Sequence, residues 1–390
     1  MDQTKFSLYD KIVSLDKKVV VIDIGRRYTK FGINGDPQPR CIIPSVIKDT
    51  DTGKVKSIFQ YETNDELYNN LVAFFHYLYF KRILLSPKDT KVIIVESLLA
   101  PVQFRETLAK VLFCHMQISY LLMVPSHMVA LYTLAVSTGL VIDIGHEEAC
   151  LIPVYEGYPV LHSYQSFPIA GQAIENNIKR LLLEHYKKAD PTKLSVIHNL
   201  SDDVLEDIKV RLCFVTTLER SQKMLANEEI SPPPSVDYRL GGTEMLTIPG
   251  RIRETACEIL FDMDADEISL PTMILNSLLK VSTDMRKPLA ESILLMGGTA
   301  SILGVKSRLL NELRYLVKTS KYKDKLFIDE FKLHTSPSHE NYTAWLGGSL
   351  VGVTEMVNMN SVTREEYKTK GDIPDWANLK YNSKPEINPK

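Results

Sequence analysis

The sequence predicts an α/β fold built from a duplicated unit, and two observations carry that prediction. Two apolar runs, residues 19–22 and 140–142, each end in the same tripeptide, Asp23-Ile24-Gly25 and Asp143-Ile144-Gly145. In addition, strand-like apolar runs alternate with helical periods along both halves of the chain, which is typical of sheets covered by helices.

Each tripeptide predicts a hairpin in which a buried strand meets an acidic residue, a glycine turn and a second strand, at 29–33 and at 149–154. Turn amides of this kind bind phosphate, and the adjacent carboxylate can hold a hydrated metal ion. Two such hairpins indicate a duplicated domain with a phosphate chain held between its halves.

The remaining elements follow in order. The first half predicts a strand at 41–45, a helix at 64–79, a strand at 92–95 and a helix at 104–113. The second half predicts a third strand at 158–162, helices at 171–185 and 203–219, an extended Ser231-Pro232-Pro233-Pro234 segment and a strand at 293–296, followed by a helix from Val305.

Composition bounds the function classes. The 390 residues suit two or more domains, and a net charge of −2 gives no basic excess for nucleic acid or an anionic membrane. The five cysteines form no CxxC pair, which indicates free thiols, and no signal peptide is expected. Residues 120–142 are apolar, but Pro125 interrupts them, so we expect a buried helix at 127–136 and a turn at Gly139 rather than a membrane span.

A third phrase, Gly297-Gly298-Thr299, follows the apolar strand at 293–296. Paired glycines after a buried strand let a flat ligand lie against the backbone, because no Cβ stands in the way. The alternative is a plain strand-to-helix turn.

The order of these three phrases resembles the actin and Hsp70-like ATPase fold, with two lobes around a central nucleotide cleft. Local phrases closer to actin include Lys30-Phe31-Gly32, Asp207-Ile208-Lys209 and Trp345-Leu346-Gly347-Gly348-Ser349. The resemblance implies ATP or ADP with Mg²⁺ as cofactor, with the metal held through water by Asp23 and Asp143. The implied cofactor-binding residues are Asp23, Gly25, Lys30, Asp143, Gly145, Lys209, Gly297, Gly298 and Thr299.

The chain departs from actin inside both hairpins. Arg26 and Arg27 stand where actin has a serine and a glycine that touch the phosphates. His146 and Glu147 stand where actin has a metal-associated aspartate and a glycine. Two orientations of the arginines stay open: exposure to solvent, or an inward turn that would offset the charge of Glu147.

The groups that handle the attacking water are also replaced. Ser126 aligns with the glutamine that positions this water, Cys150 with the histidine that assists it, and Val210 with a glutamate that helps hold the nucleoside. Hydrolysis needs a positioned water and a group that relays its proton. The sequence therefore predicts that ATP hydrolysis is absent or very slow and that the chain has no catalytic residues.

The resemblance sets the domain boundaries. It gives an N-terminal extension at 1–18, lobe one at 19–139 with an outer subdomain at 46–91, lobe two at 140–335, a return to lobe one at 336–367 and a polar tail at 368–390. The outer subdomain is shorter than in actin and lacks the tip loop that inserts into the next filament subunit. We expect it to keep one helix with aromatic side chains, namely Phe74, Phe75, Tyr77, Tyr79 and Phe80.

Residues 40–48, 231–238 and 373–376 resemble one branch of the family, the actin-related proteins of the dynactin pointed-end complex. That resemblance implies a cytoplasmic, cytoskeletal subunit that caps the pointed end of dynactin's actin-like filament and serves dynein-driven transport on microtubules. The implied partners are the filament subunits and the other pointed-end subunits. Trp376 in the polar tail either anchors in a partner or folds back on its own domain.

Two alternatives stand beside the cap. One is an ATPase or phosphotransferase of the same fold, against which the residues Ser126, His146 and Cys150 argue. The other is a nuclear scaffold of a chromatin complex, for which the chain offers no basic cluster. Neither nucleic acid nor direct membrane insertion is expected.

Overall fold

The structure, a computed structural model, describes residues 18–48, 53–241 and 244–375. The described chain forms two compact units, one up to residue 133 and from 344 onward, the other from 134 to 343. The sequence predicts the boundaries between the two lobes after residue 139 and after residue 335. Residues 1–17 of the predicted extension, and Trp376 in the tail, lie outside the described residues.

The strands are β1 (Val19–Ile24), β2 (Tyr28–Ile33), β3 (Cys41–Pro44), β4 (Val46–Lys48), β5 (Val55–Ser57), β6 (Lys91–Glu96), β7 (Tyr120–Pro125), β8 (Gly139–Ile144), β9 (Ala149–Tyr155), β10 (Tyr158–Pro159), β11 (Gln165–Phe167), β12 (Val236–Gly241), β13 (Glu244–Ile248), β14 (Ile293–Met296) and β15 (Val362–Thr363). The α-helices are α1 (Asn64–Tyr77), α2 (Val102–Lys110), α3 (Ser126–Tyr132), α4 (Gly171–Ala189), α5 (Leu194–His198), α6 (Asp202–Leu212), α7 (Leu218–Leu225), α8 (Gly250–Thr255), α9 (Leu270–Lys280), α10 (Thr283–Ala290), α11 (Val305–Leu316), α12 (Thr343–Gly352), α13 (Met356–Asn360) and α14 (Arg364–Lys370).

In the first unit, six of the described strands form a sheet in the order β15-β7-β6-β1-β2-β3, and β4 pairs with β5. Strands β1, β6 and β7 run parallel, and β2, β3 and β15 are antiparallel to their neighbours. The run 92–95 is buried on both faces in β6, which confirms the expectation from its unbroken apolar sequence.

In the second unit, the described main sheet has the order β10-β9-β8-β14, and β11 also pairs with β9. Its β8–β9 hairpin has the same register as β1–β2, because Asp143 pairs with Cys150 as Asp23 pairs with Lys30. The turns close alike: Gly25 N donates to Tyr28 O at 3.2 Å and Gly145 N to Glu148 O at 3.0 Å. The predicted pair of Asp-x-Gly hairpins is therefore confirmed.

The predicted helix in the outer part of the first unit is present as α1, continued by a wider π-type turn at Leu78–Ile83. Of the aromatic side chains predicted there, Phe74, Phe75 and Tyr79 are fully buried in the core of the unit. Tyr77 and Phe80 are each 43% exposed. Most of the aromatic character of this helix thus serves packing.

Helix α12 packs closely on helix α3 and on the first sheet, because its glycines allow a short distance to both. A Cβ on Gly347 would lie 2.0 Å from the Val129 carbonyl oxygen, and one on Gly348 would lie 2.5 Å from a methyl of Val95. Beside them, the buried Trp345 donates its indole N–H to Val21 O at 3.0 Å.

The predicted helix 203–219 is wrong in its second half. Helix α6 ends at Leu212, and the chain resumes helical form only in α7. Between them the backbone bonds to distant segments: Phe214 N donates to Arg253 O at 3.2 Å and Val215 N to Leu303 O at 2.8 Å. These tertiary partners replace the helical hydrogen bonds that the local sequence favours.

Two further boundaries differ from the sequence prediction. Residues 120–125 form strand β7 beside β6, the helix after them ends at Tyr132, and Gly139 begins β8 instead of forming a turn. The predicted strand 158–162 is only two residues long, because a 3₁₀ turn begins at Leu161. Within the described part of the chain, no helix is long and apolar enough to cross a membrane.

The described start of the predicted polar tail lies against the first unit. Ile373 is only 8% exposed and belongs to the core of that unit. The buried Arg105 donates to both carboxylate oxygens of Glu96, at 2.7 and 3.1 Å, and to Pro374 O at 2.9 Å. Asp375 lies 3.6 Å from the same guanidinium. The described end of the polar tail, residues 373–375, is therefore held on the first unit.

We expect Arg105→Gln to release the segment 373–375 and to destabilise the first unit. The variant leaves Glu96 buried without its cation, which costs about 3–5 kcal/mol. The matched control is Arg40→Gln, because Arg40 pairs with Asp36 at an exposed site and its loss costs about 1 kcal/mol or less. Urea unfolding of the full chain and proteolytic loss of a C-terminal tag measure both effects; equal results for the two variants would contradict the anchor.

Candidate functional site

Three segments of the second unit meet at the carbonyl oxygen of Gly145. This oxygen accepts a hydrogen bond from Gly171 N at 3.3 Å, at the start of α4, and from Thr299 Oγ1 at 2.6 Å, in the loop after β14. A second backbone bond, Gln172 N to His146 O at 2.7 Å, fixes α4 to the same turn. The structure thus brings the predicted residues Gly145 and Thr299 into direct contact.

The glycine pair after β14 has two distinct roles. Gly297 has φ +95°, and a Cβ there would lie 2.4 Å from Asp143 Oδ1 and 2.3 Å from Ile144 O. Only glycine fits this close approach to the hairpin. A Cβ on Gly298 would meet no atom within 4 Å, so Gly298 borders open space. The predicted residues Asp143 and Gly297 are therefore adjacent, and Gly298 leaves room for a ligand.

Lys209 joins this cluster, but its ammonium group is paired. Its Nζ lies 2.5 Å from Glu175 Oε1, and the two side chains are only 8% and 4% exposed. The position of a Cβ on Gly171 would lie 3.1 Å from the same Nζ. Glu175 was not among the predicted site residues. The sequence does carry a signal for it, because Glu175 lies on the same buried face of α4 as Ile178 and Leu182. A carboxylate buried among apolar side chains needs a cation close by.

A second carboxylate supports the glycine loop from its other side. The Glu340 backbone oxygen accepts from Gly297 N at 2.9 Å, and its side chain accepts from Ser301 Oγ at 3.0 Å and pairs with Lys306. Burial acts to raise the pKa of Glu340, but the hydrogen bonds from Lys306 and Ser301 outweigh it, so this pKa lies below its usual value. Glu340 is therefore ionised at neutral pH.

In the first unit, the predicted residues Asp23, Gly25 and Lys30 also lie together. Lys30 Nζ is 3.0 Å from Asp23 Oδ2, and both side chains are largely buried. A Cβ on Gly25 would lie 2.7 Å from Tyr28 O and 3.4 Å from Lys30 Nζ, so the turn needs glycine. Ser45 Oγ donates to Gly25 O at 2.6 Å and fixes the turn to the strand region behind it.

The two arginines of the first hairpin contact aromatic rings of their own unit. The guanidinium of Arg26 lies 4.4 Å from the ring centre of Phe59, and that of Arg27 lies 5.9 Å from the ring centre of Tyr28. A cation over an aromatic face at such distances is attracted by the ring quadrupole. Arg26 therefore packs against Phe59, an orientation that the sequence alone did not decide.

A sequence model of the actin family, described as Actin, matches residues 66–380. The chain belongs to the actin family. It is also similar to actin-related protein 10 of Dictyostelium discoideum, at 28% identity over 434 aligned positions that cover 93% of this chain and 90% of that protein. These comparisons confirm the predicted α/β actin-like fold and the resemblance to the actin-related protein 10 branch.

Two residues of this actin family member, Ser126 and Cys150, align with the groups that handle water in actin, and the structure shows their environments. Ser126 is buried, and its Oγ lies 3.0 Å from His127 Nδ1. Burial, together with the nearby charges of Asp143 and Glu148, raises the pKa of Cys150 well above its usual value. This thiol stays protonated at neutral pH, so it is unsuited to take a proton from water.

Helix α6 offers a ligand less than the family resemblance implies. Val210, which aligns with the actin glutamate, is 66% exposed and offers no polar group. Lys209 is occupied by Glu175, and His146 Nδ1 lies 3.9 Å from the same Glu175 oxygen.

Each hairpin, by contrast, keeps a carboxylate and a turn glycine at matched positions, which fits phosphate oxygens and a hydrated Mg²⁺. Among the described residues, no cluster of three or more His, Cys, Asp and Glu side chains is arranged to hold a metal directly.

We expect Gly297→Ala to destabilise the second unit and Gly298→Ala to be tolerated. The first variant forces a side chain into a left-handed backbone conformation and against Asp143 and Ile144, which costs about 2 kcal/mol or more. The second adds a methyl group to open space at an ordinary φ. Thermal unfolding compares them directly. Equal melting temperatures would show that the loop relaxes away from the hairpin and that the close approach is not required.

Proposed function

We propose that this actin-related protein is a non-catalytic structural subunit that caps the pointed end of the dynactin actin-like filament. One observation carries the proposal. Strands β4 (Val46–Lys48) and β5 (Val55–Ser57) pair as a hairpin and leave only residues 49–54 between them. A connection of this length provides no tip loop that inserts into a neighbouring subunit, so a filament would end at this chain.

The shortened outer part is nevertheless well packed. Ile58 after the hairpin is fully buried, and α1 buries Leu67 and Leu71 against the same core. Lys56 Nζ lies 2.7 Å from Glu66 Oε1 and ties β5 to α1. This packing supports a stable end surface, as a cap requires, in place of a tip loop that binds the next subunit.

The site chemistry supports a structural role for the nucleotide. We infer that ATP or ADP with Mg²⁺ is bound but turned over slowly or not at all. The family resemblance implies that Asp23, Gly25, Lys30, Asp143 and Gly145 would hold the phosphates and the hydrated metal. Gly297, Gly298 and Thr299 would face the nucleoside, and Lys209 would contact a phosphate. When bound, the nucleotide supplies negative charge and added cohesion to the residues around it.

The partners that we propose are the dynactin filament subunits and the other subunits of its pointed-end complex. The chain would then act in the cytoplasm, at the cytoskeleton, in dynein-driven transport on microtubules and in cargo attachment. The similarity to actin-related protein 10 along nearly the whole chain supports this proposal.

We expect the tagged full-length chain to co-purify with dynactin subunits from cell extract. Mass spectrometry should find the chain in far fewer copies than the filament subunits, because one cap closes one filament. Conventional actin with the same tag is the control, since it enters filaments throughout their length. Recovery of chromatin-remodelling subunits instead would replace the proposed function with a nuclear scaffold.

We expect Asp143→Ala to lower the affinity for Mg²⁺-nucleotide by about tenfold or more, because hydrogen bonds to charged groups contribute about 1.5–3 kcal/mol each. Asp266→Ala, at an exposed site of the same unit, is the control and should leave affinity unchanged. Equilibrium binding and phosphate release are measured on the same samples. Unchanged affinity in the first variant would exclude Asp143 from the site, and phosphate release at the rate of an active ATPase would overturn the non-catalytic role.

A further inference from the structure

The ion pair between Glu175 and Lys209 joins two helices of the second unit out of contact with bulk solvent. Glu175 lies in the second turn of α4, and Lys209 lies near the end of α6. Their contact is 2.5 Å, and at 8% and 4% exposure both side chains are buried, so Glu175 is a close counter-ion for Lys209. A buried ammonium group requires an anion close by, since desolvation disfavours its charged form.

This ion pair lies beside Gly145 and Thr299, two predicted cofactor-binding residues of the second unit. Helix α4 starts at Gly171, whose N–H binds the Gly145 carbonyl oxygen, and a Cβ on Gly171 would lie 2.9 Å from Thr299 Oγ1 and 3.1 Å from Lys209 Nζ. The ammonium group of Lys209 therefore lies at the hairpin turn, where a bound anion would also compete for it. Glu175 supplies a carboxylate of the chain itself at that point.

The opposite side of the glycine loop shows the same arrangement. The Glu340 carboxylate pairs with Lys306 and accepts from Ser301, while the Thr299 hydroxyl donates to Gly145 O. The cations and hydroxyl groups that flank residues 297–299 thus have partners within the unit. Residues of the chain itself therefore supply the hydrogen-bond and ion-pair partners of these groups.

We propose that Glu175 is an internal competitor for Lys209, which weakens the binding of nucleoside phosphates and lets the second unit keep its structure without them. The inference rests on the nucleotide site of the proposed function. It goes beyond that function by assigning to one residue the control of nucleotide affinity. The anionic group of the ligand and the Glu175 carboxylate are alternative partners for one ammonium group.

A purely structural role for the pair predicts different behaviour. If the pair only joins α4 and α6, removal of either partner weakens the unit and affects nucleotide binding in the same direction. If Glu175 competes with a ligand, its removal frees Lys209 and tightens binding, whereas removal of Lys209 takes away the contact itself.

The test is a titration of the full chain with N-methylanthraniloyl-ADP and Mg²⁺, followed by fluorescence. Glu175→Gln keeps the size of the side chain and removes its charge, and we expect binding about tenfold tighter than that of the wild type. Lys209→Gln breaks the same pair and should bind no tighter than the wild type. Glu254→Gln is the matched control, because Glu254 is buried and paired with Arg220 and Arg251 in the same unit.

Equal or weaker binding by Glu175→Gln, or no binding by any variant, would overturn the inference. So would tighter binding by Lys209→Gln or Glu254→Gln, which would show a general loosening of the unit. If Glu175→Gln does not fold, Glu175→Asp is the second variant. It shortens the side chain by one methylene and moves the carboxylate away from Lys209, so we again expect a gain in affinity. No gain in affinity would count against the proposal. The co-purification with dynactin is a separate readout, so the two proposals can fail independently.

Discussion

The carbonyl oxygen of Gly145 is the point on which the arrangement of the second unit depends. It lies at a hairpin turn, and it receives donors from the first residue of α4 and from Thr299, which follows β14. Since these segments are distant in sequence, one acceptor fixes the relative position of a strand end, a helix start and a glycine loop. The close approach of Gly297 to Asp143 and Ile144 continues the parallel pairing of β14 with β8, in which Met296 lies opposite Asp143.

The two hairpins share one backbone plan but differ in electrostatics. In the first, the residue opposite the aspartate is Lys30, which neutralises Asp23 at 3.0 Å. In the second, the residue opposite Asp143 is Cys150, a buried thiol whose pKa is raised by burial and by that carboxylate. The same register thus supplies a cation in one unit and a neutral group in the other. A duplicated scaffold can therefore be kept while the chemistry at each copy changes.

Much of the fold could be predicted from local pattern alone, because apolar strands that end in Asp-x-Gly or Gly-Gly-Thr determine their own turns. The site residues within each unit also came together as the motif order implied. Two features that the sequence did not predict have the same physical cause, which is a partner far away in sequence. Residues 213–217 leave the helix because Arg253 and Leu303 offer backbone acceptors. The segment 373–375 is held by Arg105, and nothing in a polar tail reveals that contact.

Glu175 shows what a motif comparison leaves out. Aligning Lys209 with a family residue predicts a cation at the site, but the effect of a cation depends on its counter-ion. A site whose cations depend on the ligand for their counter-ions gains the full strength of that interaction when the ligand binds. In this unit the internal carboxylates Glu175 and Glu340 already pair with Lys209 and Lys306, so a ligand must displace a partner to reach either cation. The charge balance of the second unit therefore fits the structural role that we propose better than a cycle of binding and turnover.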